Sequence, residues 1–458
     1  MLRPLGRSAT TTPRVVEHGP RRVTVELPGG DRTSFSYVWL RDHCREERSY
    51  HPQTRQRLVD TTKIPADYRA TQVEARGDGP ASDFESAYES FFPWAFLIEH
   101  AYNPTLVRRD QLPASNDELS TSSFLVSPEL FFDNAKGAEC SKMYWTKEIA
   151  NDPPTVAYDQ VMTSEEGVWE WLKRIDTYGF SLVSAIPGTP EATEALTRRI
   201  AFIRETHYGG FWDFTANLEH GDLAYSDVRL EAHTDTTYFT DPCGLQLFHL
   251  LSPSTTHTGG HNLLVDGFRA AKVLEESHPD HHELLSTLPI PAHASGSGSA
   301  SLPSGVHMRP VRNLPVLNHD ENGELVMVRW NGDDRGVVGG AAYEGEKMDR
   351  WYDALRVWED ILRSDEAQLW TKMEVGTAVI FDNLRVLHGR SAYSGSRRLC
   401  GAYVNGDDYR SRLRGLRRQF GGGDPKLSAL RRLVNERYSL QAALDSAPQR
   451  TGAWADYL

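Results

Sequence analysis

The spacing of apolar and polar positions divides the chain into a short opening run of strands and a longer stretch where strands and amphipathic helices alternate. Val15-Val16 and Val23–Leu27 alternate, Pro28-Gly-Gly-Asp31 turns the chain, and Ser34–Leu40 resumes the pattern. From Glu165 the period lengthens. Trp169, Leu172 and Ile175 recur at helical spacing before Tyr178-Gly179 breaks into a strand at Phe180–Val183. Ala195 to Tyr208 reads as a second helix, with Leu196, Ile200 and Ile203 on its buried face. Strands follow at Leu245–Leu251 and Asn262–Val265, on either side of the turn Thr258-Gly-Gly260. Then come a helix from Phe268, a strand at Leu325–Trp330, a helix at Met348–Leu362 and a last strand at Arg398–Val404. An arginine-rich tail and a helix near Leu427–Leu440 end the pattern. Short strands interrupted by helices predict a mainly β fold with flanking helices, a double-stranded β-helix (jelly roll) preceded by a small β-rich N-terminal domain. The expected domains are residues 14–120 and 121–458. Residues 75–125, which surround the aromatic patch Phe91–Phe96, carry the boundary, and the patch itself reads as packing. Residues 295–305 are low-complexity and read as a loop.

Composition narrows the classes. A chain of 458 residues is long enough for two units. A formal charge of −13 argues against nucleic acid as a partner, because phosphate binding needs a basic field. No apolar run reaches the length of a membrane span, so no membrane partner is expected. The four cysteines, Cys44, Cys140, Cys243 and Cys400, lack paired spacing. That predicts a reducing, intracellular setting, cytoplasm or mitochondrial matrix, and not secretion. Residues 1–13 are basic and hydroxyl-rich without an acid, a composition shared by short mitochondrial presequences and by exposed termini. Asp42-His43-Cys44 with nearby His51 is too sparse for a four-ligand zinc site, so the N-terminal domain is expected to be metal-free.

The candidate chemistry centres on Glu231-Ala-His-Thr-Asp-Thr-Thr-Tyr-Phe-Thr240. In an extended segment His233 and Asp235 point to the same face. With His388, just after the apolar run Thr377–Phe381, they make a 2-His-1-carboxylate set, the ligands of a non-haem Fe(II) oxygenase with three open positions. Those positions suit a bidentate 2-oxo acid and O₂. Arg397 and Arg398 lie about one strand further on and alternate faces, so one of them points inward to take a distal carboxylate with two parallel hydrogen bonds. Tyr208, Trp212, Tyr225 and Tyr403 flank the ligand segments, and aromatic faces around a pocket attract a quaternary ammonium. Asp222, three residues before Tyr225, offers a carboxylate for a second ammonium. Histidines such as His207, His249 and His261 lack a carboxylate at i+2 and read as packing or surface.

At these residues the sequence resembles the γ-butyrobetaine/trimethyllysine dioxygenase family of Fe(II)/2-oxoglutarate oxygenases. The resemblance is densest at Ile203–Gly209, Gly221–Tyr225, His233–Phe239, Pro242–His249, Leu263–Phe268, Asp382–Arg390 and Leu399–Tyr403. It implies iron on His233, Asp235 and His388, 2-oxoglutarate on Arg397 rather than Arg398, and a trimethylammonium cage of Tyr208, Trp212, Tyr225 and Tyr403. It also implies a contact of Asn331 with the polar end of the substrate, ascorbate as a reductant, and a homodimer. Asn262 stands where a threonine is common beside the cosubstrate, and it keeps a donor for a carboxylate. Asp222 favours the trimethyllysine branch, because trimethyllysine carries an α-ammonium and γ-butyrobetaine does not. The implied reaction is C3 hydroxylation of N6,N6,N6-trimethyl-L-lysine, the first step of carnitine biosynthesis. The rivals are γ-butyrobetaine hydroxylation, action on trimethylated lysine within a protein, and a non-catalytic metal-binding jelly roll. Family members usually bind zinc near the N-terminus; here Cys44 remains while Ser49 and Arg55 stand at expected ligand positions, so zinc is expected to be absent or weak.

Overall fold

A computed structural model describes residues 13–27, 30–49, 58–75, 80–84, 88–104, 142–215, 229–252, 259–296, 305–338, 341–344, 346–393 and 397–421. Those before 126 and those from 142 to 421 form two compact units.

In the first unit β1 (Arg14–His18), β2 (Arg22–Glu26) and β3 (Arg32–Ser36) form one antiparallel sheet. The strand expected to run on to Leu40 stops at Ser36. Tyr37 and Leu40, three apart, are both buried on α1 (Tyr37–Asp42), so packing of a helical face overrides the alternation. A second sheet joins β4 (Ala70–Ala75), β5 (Pro80–Phe84) and β6 (Tyr88–Phe91), and α2 (Trp94–Glu99) follows. The aromatic patch is core: Phe92, Trp94 and Phe96 pack with Val23, Phe35 and Leu40. Cys44 Sγ lies 3.2 Å from Ser90 Oγ, and Ser49 Oγ accepts a 2.6 Å hydrogen bond from Arg41. His51 and Arg55 lie outside the described residues.

The second unit opens with β7 (Thr155–Ala157), α3 (Tyr158–Thr163) and α4 (Glu165–Tyr178). Ser164 caps α4 by accepting from Gly167 N, and Gly179, with φ of 78°, ends it in a left-handed turn into β8 (Phe180–Ser184). Next are α5 (Pro190–Arg198), β9 (Ile203–Arg204), β10 (Trp212–Thr215), β11 (Leu230–His233) and β12 (Leu245–Ser252). The helix expected to reach Tyr208 stops at Arg198. Ile203 continues the helical period, yet its backbone pairs as a strand with Val404. Then come β13 (Asn262–Asp266), α6 (Gly267–Ser277), α7 (Pro279–Thr287), β14 (Ala294–Gly296), β15 (Val306–Met308), β16 (Leu317–His319) and β17 (Leu325–Val328). The series ends with α8 (Lys347–Leu362), β18 (Leu369–Thr371), β19 (Ala378–Asp382), β20 (Val386–Arg390), β21 (Arg398–Val404) and α9 (Gly406–Phe420). The arginine-rich tail is therefore helical as far as Phe420. Its buried residues Tyr409, Leu413 and Leu416 lie on one face, while Arg412 and Arg417 pair with Glu165 and Asp176 of α4. The helix expected near Leu427–Leu440 lies outside the described residues.

Two sheets make the roll. The larger has the order β10-β21-β12-β19-β8-β7, with β9 also on β21, and the smaller has the order β11-β20-β13-β18. Strand alternation gives each sheet two apolar faces. Leu245, Leu247, Ala378, Ile380 and Val404 pack outward under α4, α5 and α9. Leu263, Val265 and Leu387 pack outward under α6, α7 and α8, around the fully buried Trp351 and Trp358. Phe180, Leu264, Val379 and Phe381 fill the space between the sheets. This is the jelly roll with external helices.

A buried ion pair ties the hairpin that carries His388 to the neighbouring helix. Arg385 donates to both carboxylate oxygens of Asp266 at 3.1 and 2.8 Å, while Asp266 caps α6 through Phe268 N and Arg269 N. Their side chains are 2% and 0% exposed. Asp266→Ala would leave the guanidinium buried without its counter-charge, so a loss of about 3–5 kcal/mol is expected in urea unfolding. A loss below about 1 kcal/mol would mean that the backbone carbonyls of Thr177 and Met143 suffice for Arg385.

Candidate active site

The three metal-ligand candidates converge between the two sheets. His233 is the last residue of β11 and pairs directly with His388 of β20. Their ring centroids are 4.4 Å apart. Asp235 is not on the strand as the alternation argument supposed; it sits in the bend just beyond it. Thr236, a non-glycine residue with φ of 58°, follows it and sets that bend. The bend is fixed from both sides. Thr234 N donates to Trp330 O at 2.7 Å, Trp330 N donates to Thr234 Oγ1 at 3.0 Å, and Cys243 N donates to Thr236 Oγ1 at 2.9 Å. Asn383, in the turn between β19 and β20, accepts from Asp235 N at 2.7 Å and donates to Asp235 O at 3.0 Å. The carboxylate thus reaches back to the histidine face even though the backbone has left the sheet.

The donor set suits a metal ion. Asp235 Oδ1 lies 3.3 Å from His233 Nε2 and 3.6 Å from His388 Nε2. Ligand atoms held ~2.1 Å from one ion at right angles lie ~3 Å apart, which is close to this arrangement. His233 Nδ1 is 2.8 Å from Glu231 O. A carbonyl only accepts, so Nδ1 carries a hydrogen, and Nε2, on the side of Asp235, is the nitrogen left to coordinate a metal. Burial pushes His388 down to about 3, leaving its imidazole neutral and fit to coordinate. Burial works in the same direction on His233, but the hydrogen bond and charge of Asp235 outweigh it and raise its pKa. Burial opposes ionisation of Asp235 as well. The two imidazoles and the Tyr403 hydroxyl overcome that and hold the carboxyl well below the usual range. Among the described residues this is the one histidine, cysteine and carboxylate group whose ligand atoms all lie within 4.8 Å of one another.

Around the triad the structure sorts the remaining candidates. Arg398 is half-exposed and makes a two-pronged pair with Asp213, at 2.9 and 2.5 Å. Arg397 is 9% exposed, stacks 4.7 Å above the Tyr393 ring, and has its Nε buried without a hydrogen-bond partner among the described residues. Asn262 Nδ2 is also buried without a partner among the described residues. Asn262 pairs with Arg390 across β13 and β20, two residues beyond the Leu264–His388 pair. Trp212 lies over Gly401, where a Cβ would sit 2.4 Å from the indole and 1.9 Å from Leu247 O, so only glycine lets the ring settle there. From that seat Trp212 meets the Tyr403 ring nearly edge-on, at 5.9 Å. Tyr208 has its hydroxyl 3.1 Å from that of Tyr238. Asn331 closes a local turn, its Oδ1 accepting from Asp333 N and its Nδ2 donating to Asp334. A small cavity beside it is lined by Thr237, Arg329 and Arg335. Asp222 and Tyr225 lie outside the described residues.

Two residues that the sequence reading passed over stand next to the triad. Gln246 on β12 donates to Asp235 Oδ2 at 2.7 Å, and Asn383 holds the Asp235 backbone. The signal for Gln246 was present, as a lone amide in the apolar run Leu245–Leu251.

Comparison with known proteins agrees with this geometry. Residues 143–403 match the model of the taurine catabolism dioxygenase TauD, TfdA family, and residues 15–98 match the gamma-butyrobetaine hydroxylase-like N-terminal model. Fold and site thus define a TauD-type Fe(II)/2-oxoglutarate oxygenase. The chain is 40% identical over 431 residues to trimethyllysine dioxygenase of Neurospora crassa, covering 86% of this chain and 82% of that protein. It is 33% identical over 386 residues to the human mitochondrial trimethyllysine dioxygenase, covering 83% of each. Human gamma-butyrobetaine dioxygenase is 29% identical over 300 residues, covering 65% of this chain and 73% of that protein. The chain belongs to the trimethyllysine dioxygenase family. No helix among the described residues is long and apolar enough to cross a membrane.

Proposed function

We propose that the protein hydroxylates free N6,N6,N6-trimethyl-L-lysine at C3, consuming O₂ and 2-oxoglutarate and releasing 3-hydroxy-N6,N6,N6-trimethyl-L-lysine, succinate and CO₂. The observation that carries this reading is the His233–Asp235–His388 cluster, beside an aromatic wall, in a chain related to trimethyllysine dioxygenases over most of its length. His233, Asp235 and His388 would hold Fe(II), which with 2-oxoglutarate and O₂ would supply the C–H oxidation.

The protein's own part is to bind, orient and exclude water. Arg397 and Asn262 direct buried donors where a dicarboxylate would end, and a desolvated guanidinium–carboxylate pair gains from two parallel hydrogen bonds. Trp212, Tyr403 and Tyr208, with Tyr225, offer ring faces to the trimethylammonium, whose positive charge is spread over methyl groups that make no hydrogen bonds. Asp222 takes the α-ammonium, and Asn331 lies toward the carboxylate end. Holding the substrate at both ends brings one methylene to the metal, and this is the positioning that selects C3. The protein is proposed to act as a homodimer, with ascorbate keeping the iron reduced.

The test is succinate formation by purified protein with Fe(II), 2-oxoglutarate and ascorbate, with trimethyllysine, γ-butyrobetaine or a trimethyllysine-containing peptide supplied in parallel. Stimulation by free trimethyllysine alone, with a product 16 mass units heavier (roughly one oxygen atom), is the expected result. Stimulation by γ-butyrobetaine instead would keep the chemistry and overturn the role of Asp222. Asp222→Asn is expected to move preference toward γ-butyrobetaine. An unchanged ratio of the two rates would make Asp222 a loop residue with no part in recognition.

A further inference from the structure

Asp235 has two carboxylate oxygens, and the proposed chemistry leaves room for only one of them on the metal. A second would take one of the three positions that the 2-oxo acid and O₂ need. The structure treats the two oxygens differently. Oδ1 faces both imidazoles, at 3.3 and 3.6 Å. Oδ2 is turned away and accepts from Gln246 Nε2 at 2.7 Å and from the Tyr403 hydroxyl at 2.7 Å. The two donors come from paired positions of neighbouring strands, Gln246 of β12 directly opposite Tyr403 of β21, so the sheet ladder sets their spacing. The Gln246 amide nitrogen is itself 3.4 Å from the Tyr403 oxygen.

The arrangement carries a cost. Gln246 is 2% exposed, and with its amide nitrogen on Asp235 its Oε1 is left buried without a partner among the described residues. A buried acceptor left without a hydrogen bond is destabilising. The opposite amide orientation would set Oε1 against a carboxylate oxygen, which is worse. Tyr403 is divided in another way. Its ring meets Trp212 in the aromatic wall while its hydroxyl holds the metal ligand.

We infer that Gln246 and Tyr403 are positioning residues that restrict Asp235 to one-oxygen coordination, and that Tyr403 thereby links occupancy of the ammonium pocket to the metal centre. This rests on the metal-site and pocket assignments made above. A cation that shifts the Tyr403 ring moves the hydroxyl that sets the carboxylate, and by linkage the metal alters the affinity for the cation by the same factor.

The experiment uses the full-length protein, with Co(II) in place of Fe(II) and tetramethylammonium as the pocket probe. Co(II) binding is followed by its visible absorption, and tetramethylammonium binding by tryptophan fluorescence with and without Co(II). Gln246→Leu removes one donor, and Tyr403→Phe removes the other while keeping the ring. Each is expected to weaken Co(II) by ~10–100-fold, the usual effect of losing a ligand's outer partner, and to alter the Co(II) band shape as the second oxygen joins. In the wild type Co(II) should change the tetramethylammonium affinity. In Tyr403→Phe the metal-free affinity should stay within about twofold while the metal dependence disappears. Wild-type Co(II) affinity and spectra in both variants would overturn the clamp, and a wild-type tetramethylammonium affinity indifferent to Co(II) would overturn the linkage. If Gln246→Leu does not fold, as judged by circular dichroism, Gln246→Met, which keeps the length of the side chain and removes the donor, replaces it and should weaken Co(II) by the same ~10–100-fold. Failure of the wild type to bind Co(II) at all would remove the metal-centre assignment, and the clamp with it.

Discussion

Replacing His233 by alanine is expected to abolish substrate-dependent succinate formation and to remove tight divalent-metal binding. The loss should exceed the ~10–100-fold that follows when only an outer partner of a ligand is lost. Two imidazoles and one carboxylate oxygen face a common point, and a chain with only two of the three has no means of excluding water from a third position. His233 ends β11 with its side chain only partly buried, and its partners, Glu231 O and Asp235, lie within two residues of it in the chain, so its removal should leave the roll standing. His388 would be a poorer choice, since it is buried against Phe381 at 4.6 Å and its loss would open a cavity as well. Metal binding by calorimetry, together with an unfolding midpoint close to that of the wild type, separates loss of a ligand from loss of the fold. Turnover retained in His233→Ala would sink the triad.

Much of the roll could be read from periodicity, because its buried faces are wide and its helices amphipathic. The expected bounds of the last strand, Arg398–Val404, coincide with β21, and the helix expected at Met348–Leu362 differs from α8 by one residue. The errors share a cause. Ile203 and Leu40 both continue a local pattern, and each is overruled by packing that involves distant parts of the chain. In α9 the opposite happened. Its arginines mask the i, i+4, i+7 series Tyr409, Leu413 and Leu416, whose purpose appears only when Arg412 and Arg417 are seen on the carboxylates of α4.

For the site, legibility followed distance along the chain. The pair His233 and Asp235 and the late His388 could be read because their chemistry is carried by residue type and spacing. Yet a bend at Thr236 and the side chain of Asn383, rather than strand alternation, aim Asp235. Gln246 and Asn383 could not be assigned from spacing, because their roles depend on which strands lie beside which. Gln246 matters only because β12 pairs with β21, and Asn383 only because the β19–β20 turn folds over Asp235, two residues beyond β11.

Arg397→Ala is expected to raise the apparent KM for 2-oxoglutarate by at least ~30-fold, the equivalent of about 2 kcal/mol, which is the low end for truncating one partner of a buried charge pair. The KM for trimethyllysine should change by less than about threefold, because the ammonium pocket is built from other side chains. The adjacent arginine supplies the control. Arg398 is about half exposed and already engaged with Asp213, so Arg398→Ala removes a surface pair worth ~0–1 kcal/mol and should leave cosubstrate affinity nearly unchanged. Arg397→Lys is the more discriminating substitution. It keeps the charge but offers a compact ammonium in place of a planar fork. If the two parallel hydrogen bonds matter, lysine should restore only a small part of the lost affinity. Burial lowers the guanidinium pKa of Arg397 and would lower that of a lysine there further into the working range. The lysine variant should therefore bind 2-oxoglutarate better as the pH falls, whereas the wild type, charged throughout, should show no such trend. Equal effects of Arg397→Ala on both substrates would show that Arg397 supports the pocket as a whole. A large cosubstrate effect of Arg398→Ala would move the carboxylate contact to that residue.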